Sequence, residues 1–178
     1  MQVLYSAVQC FDPDSGENWQ KFIAWSGLKQ LREVVSLDGI LCPSIFEELT
    51  AEDWKHNVQE DFKTHLFFDL DHVLKKVAGN ERVNVLALME NPTAEKIASF
   101  ANPRFVFRGF DLVDEQGGNS SLLNCGGLDK AFSNAELSEF GLIADYQRAS
   151  DIRQALRENY PEERHAVCNI WAIWQMRH

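Results

Sequence analysis

No stretch of the 178 residues approaches the roughly 20 consecutive apolar positions that span a bilayer, and Met1 to Cys10 carry no basic leader ahead of an apolar run. A soluble, cytoplasmic protein with no membrane partner is therefore expected. Prolines number only five and are scattered as single breaks, with no internal repeat, low-complexity tract or Pro/Ser-rich linker. One globular domain over 1–178 is the reading that follows. The cysteines, Cys10, Cys42, Cys125 and Cys168, stand 32, 83 and 43 positions apart. That spacing excludes a zinc knuckle or redox dithiol and points to reduced thiols. Basic charge is also short, with 17 Lys and Arg against 27 Asp and Glu, a net charge of −10.

Complete catalytic motifs are missing too. Gly117-Gly118 and Gly126-Gly127 sit in no Gly-x-Gly-x-x-Gly or Gly-Lys-Ser pattern, and Ser120, Ser121 and Cys125 lie in no Gly-x-Ser-x-Gly elbow. Turn chemistry explains the glycines. Whether the chain is an enzyme is left open by its residues.

What is present is a globular complement of apolar residues, 45 % of the chain. Val3 to Val8 reads as a strand ending in the turn formers Asp12 to Gly16. A helix over 17–25 and a second helical pattern through Leu28, Leu31, Val34 and Val35 follow. From Trp54 the apolar residues Val58, Phe62, Leu66, Leu70, Val73 and Val77 recur at steps of four and three. With Thr50 as N-cap and Gly79-Asn80 as stop, this spacing predicts one long helix over 51–78. Strands are predicted over 82–88, 104–115 and 167–176, the second returning over 120–124 as a hairpin, with helices over 94–100 and 150–159. The last strand is apolar on both alternating faces, which suits burial from both sides. The expected fold is α+β (or α/β), with a mixed, mainly antiparallel sheet packed by helices.

Acidity concentrates in 44–71, where eight acids face only Lys55 and Lys63, a local charge of −6. Phosphate backbones are repelled there, so no nucleic-acid partner is expected, whereas a basic protein is drawn in and its association accelerated. Phe46 and Trp54 would be aromatic anchors beside Glu47, Glu48, Glu52, Asp53 and Glu60. The leading expectation is a non-catalytic protein-binding module without cofactor, of the acidic immunity or inhibitor type.

The alternative is a metal-dependent hydrolase. On a 51–78 helix, Asp61, His65, Asp69 and His72 would form one stripe, and imidazole with carboxylate suits a divalent metal that activates water. Within the same region, Phe67-Phe68-Asp69-Leu70-Asp71 resembles the first motif of haloacid-dehalogenase-type phosphatases. That resemblance implies Asp69 as nucleophile, Asp71 as general acid and a magnesium ion, although His72-Val73 stands where the family has Gly-Thr. Arg104 and Arg108, expected on one strand face with Val106 and Phe110, are candidates for holding an anion.

Overall fold

Apolar residues on both faces demand a central position, and β4 (Cys168–Met176) takes it, buried from Ile170 to Gln175. The computed structural model describes residues 2–10, 17–46, 48–60, 63, 65–115, 118–123 and 127–177, with backbone alone at 17–19. β4 lies between β2 (Val83–Glu90) and β3 (Phe105–Asp114), and β1 (Leu4–Gln9) pairs with β2. The order is β1-β2-β4-β3 and every pairing is antiparallel. Among the described residues five α-helices accompany the sheet: α1 (Glu17–Ser26), α2 (Ala51–His56), α3 (Leu70–Val77), α4 (Ala94–Ser99) and α5 (Tyr146–Asn159). The fold is α+β, and no described helix is long and apolar enough to cross a membrane.

Strand alternation and register divide the side chains between two faces. Tyr5, Ala7, Val85, Ala87, Ala172, Trp174 and Phe110 share one face. There α5 packs through Tyr146, whose ring centre lies 5.5 Å from that of Phe110, and Phe100 after α4 meets Trp174 at 4.7 Å. Ser6, Asn84, Leu86, Leu88, Trp171, Ile173, Gln175 and Asp111 share the other. Irregular chain covers it: Glu33 accepts from Asn84 at 2.7 Å and Gln175 at 3.0 Å, and Ser36 donates to Asp111.

That covering chain is where the expected helix over 28–35 fails. Leu28, Leu31, Val34 and Val35 are buried as the pattern implied, but the amides of Arg32 and Val35 donate to the carbonyls of Glu139 and Phe140. A long-range pairing replaces the i→i−4 ladder. The predicted hairpin also shrinks among the described residues to a single bridge, Val113 to Ser120, because Ser120 Oγ turns back to accept from the amides of Leu122 and Leu123. Asn124 and Cys125 lie outside the described residues, while Cys42 and Cys168 are buried thiols.

The predicted long helix over 51–78 is two short ones. Asn57 ends α2 by accepting from the Gln59 amide at 2.8 Å and donating to Leu66 O at 2.9 Å, and Gln59 adopts a φ of +58°. The chain then folds back, so that Asn57 bridges Phe67, and Phe67 in turn pairs with Tyr5 on the edge of β1. Asp69 starts α3 by accepting from the amides of Asp71 and His72. The apolar period crosses this break because Leu66 is buried next to Phe67, which pairs with the edge of β1, rather than by a helix face.

Candidate functional site

Folding α2 against α3 brings together side chains 13 to 23 positions apart. Thr50 caps α2 and forms a reciprocal box with Asp53. The Asp53 carboxylate is 1 % exposed and accepts from the Thr50 hydroxyl and amide, from His72 Nε2 at 2.8 Å and from Lys76 at 3.1 Å. Burial works to raise the Asp53 carboxyl, but these bonds outweigh it and hold the group well below the usual carboxylate range. An ionised carboxylate has no proton to give, so His72 Nε2 carries the hydrogen.

A second imidazole lies flat on the first. The His56 and His72 rings are stacked with centres 4.3 Å apart and planes 11° from parallel. His56 Nδ1 reaches Asp69 Oδ2 at 3.0 Å and its Nε2 stands 3.4 Å from Glu52 Oε1. The amide of His72 and then that of Asp71 lower the Asp69 carboxyl, and Lys55 and His56 lower Glu52. These groups, with Lys75 at the rim, line an open cleft of about 330 Å³.

The surface of this region carries aromatics and charges of both signs, with Lys55, Lys75 and Lys76 exposed. Trp54 is 44 % exposed and Phe68 42 %, and the Phe68 amide donates to His56 O, which sets Phe68 beside the end of α2. Glu48, Glu52, Glu60 and Asp71 are exposed around them. Glu52 is paired with Lys55, and Glu60 with Lys63 at 3.0 Å. Phe46, expected as an anchor, is instead 4 % exposed and packs against Phe67, with ring centres 4.1 Å apart and planes tilted by 40°. Asp53 is likewise withdrawn from the surface, and Glu47 lies outside the described residues.

The expected metal stripe is not assembled, because the helix that would carry it is absent. His72 sits in the α2–α3 cleft, whereas His65 lines a separate cavity of about 30 Å³ with Lys63, Glu90 and Trp171. Burial pushes the His65 imidazole down to about 4, so it is neutral at pH 7. Asp61 lies outside the described residues, and no group of three His, Cys, Asp or Glu side chains among those described is placed to hold a metal ion. The phosphatase resemblance fails on placement as well: Asp69 is a helix N-cap, not the end of a strand. Compared with known proteins, the chain matches no family model, no curated protein and no solved structure.

The two arginines also part company. A β-bulge between Phe107 and Gly109 shifts the alternation, so Phe110 faces Ala172 while Val106 is in register with Gln175. Arg108 donates to Gln175 Oε1 at 2.7 Å and stacks over the Phe140 ring at 4.3 Å, whereas Arg104 is exposed. Reading the sequence missed His56, Phe68, Lys75 and Lys76 as site members, since only a reversal near Gln59 brings α2 and α3 together. The Asn57-x-Gln59 turn was the available signal.

Proposed function

We propose that this chain is a non-catalytic protein-binding module whose exposed α2–α3 surface docks a basic protein partner, in the manner of an immunity or inhibitor protein. The observation that carries the reading is a pair of exposed aromatics, Trp54 and Phe68, in the acidic stretch 44–71, which also exposes Glu48, Glu52, Glu60 and Asp71. An exposed indole supplies the apolar area that dominates interface energetics, and the acids supply long-range attraction. The internal pairing of Asp53 with His72 and Lys76 makes the surface rigid before binding, which lowers the ordering cost of association.

The test starts with a basic protein captured by the full chain and then measures its association and dissociation rates across ionic strength. Glu48→Lys with Glu52→Lys is expected to slow association, with little effect on dissociation. Trp54→Ala is expected to speed dissociation at least about tenfold, corresponding to roughly 1.4 kcal/mol or more. A rate of association indifferent to salt and to both charge reversals would reject electrostatic docking at this surface.

A further inference from the structure

Away from α2 and α3, a cleft of about 390 Å³ opens where the C-terminal end of α1 meets residues 127–134. That is within the range of small-molecule sites, about 300–1,000 Å³. Its floor is hydrocarbon, since Leu28, Leu122, Leu128 and Phe132 are all buried. One wall is Trp25, which at 57 % is far more exposed than Trp171 or Trp174 at 4 %. The rim carries Asp129, whose carboxylate meets no hydrogen-bond or ion-pair partner among the described residues, and none of the described lining residues is cationic.

The cleft is also braced. The Asn134 side-chain amide donates to Ser26 O at 2.7 Å across its mouth, and Asn134 O accepts from Gln30 Nε2 at 2.6 Å. Glu136 holds the Ser133 amide at 2.8 Å, fixing the far wall. A ligand therefore meets a preformed shape and little ordering cost.

An apolar floor, an exposed indole and one carboxylate with no partner among the described residues define their own complement. A cation is attracted by the face of an indole and by a carboxylate together, while its hydrocarbon body covers the floor. We propose that this cleft binds a small organic ammonium compound, with Trp25 and Asp129 as the recognising pair. An anion of the same shape is repelled by Asp129, and a neutral isostere forfeits both charge contacts.

The full chain is titrated with phenethylammonium and, separately, with uncharged phenethyl alcohol, following the heat of binding and the Trp25 indole N–H resonance. Saturable binding of the amine with a Kd of about 1 mM or tighter is expected, with a shift at Trp25 and about tenfold weaker binding of the alcohol. Asp129→Asn, at an exposed position, lowers the amine affinity about tenfold and leaves the alcohol unchanged, whereas Trp25→Ala weakens both. Equal affinity for amine and alcohol, an amine affinity unmoved by Asp129→Asn, or no saturable Trp25 shift up to about 10 mM overturns the proposal.

Discussion

Two titratable groups, the half-buried His65 and the buried Asp111, pull stability in opposite directions over the same pH interval, and removing either should expose the other. Asp111 is fully enclosed on the sheet face under residues 27–46. Burial pushes its carboxyl up to about 6; hydrogen bonds from Ser120 and Ser36 oppose the rise, and the Asp38 charge adds to it. Between the ordinary value of 3.8 and about 6 the folded chain holds a proton that the unfolded chain has released, so stability falls as pH rises. His65 does the reverse. Between about 4 and its ordinary 6.5 the unfolded chain holds a proton that the folded chain excludes, so stability rises with pH. At 1.36 kcal/mol per unit each effect is on the order of 3 kcal/mol, with His65 below that because part of its ring reaches solvent. Over this interval the two contributions nearly cancel each other. Urea unfolding from pH 4 to 6.5 is expected to show stability rising by about 2–3 kcal/mol in Asp111→Asn and falling by a similar amount in His65→Gln. The slope is the readout, because either substitution also carries a pH-independent packing cost. Two variants whose pH profiles run parallel to the parent would refute the burial argument for both groups.

Other substitutions test the joints of the fold. Asp53→Asn leaves the Thr50 cap partly served but removes the charge shared by His72 and Lys76, and is expected to cost about 3 kcal/mol in urea unfolding at neutral pH. Gly109 sits in the β3 bulge at a φ of +141°, and a Cβ there would lie 2.7 Å from Ile143 O and 2.9 Å from Leu142 Cβ. Gly109→Ala is thus expected to lose about 2–3 kcal/mol and to lower the melting temperature accordingly. Arg108→Ala forfeits the Phe140 stack and the bond to Gln175, about 1–2 kcal/mol by chemical denaturation, and Arg108→Lys recovers little because an ammonium lacks the planar face.

The sheet was legible in the sequence wherever alternation or continuous apolar runs extended over a whole strand. The strands over 4–9, 83–90, 105–114 and 168–176 lie within a residue or two of their expected bounds. Both ends of the long 51–78 pattern were also read correctly, with Thr50 as cap and Gly79, at a φ of +80°, following the last helical turn. Its middle was not, because a period of four cannot distinguish a helix face from residues buried one by one against a strand edge. Phe67 is buried by Tyr5 and Phe46, contacts that span tens of positions and leave no local trace. The same limit hid the histidine pair: spacing along one helix suggested Asp61, His65, Asp69 and His72, whereas the reversal selects His56 and His72 and sends His65 elsewhere.

That reversal also restricts how a partner can be held. A free sheet edge would permit strand addition, in which backbone bonds carry affinity with little regard for side-chain charge. Here the edge of β1 is bridged by Ser44 at Val8 and by Phe67 at Tyr5, and the edge of β3 by Ile143 at Phe110 and Ser120 at Val113. The remaining stretch of β3 over 105–108 is interrupted by the bulge and carries Arg108 in its own bonds to Gln175. On the proposed reading a partner docks through side chains, and α2, α3 and the chain joining them display Trp54 and Phe68 with charges of both signs. Binding that persisted after Trp54→Ala and both charge reversals would then have to use a different face of the molecule, with the braced cleft at Trp25 the next surface to block.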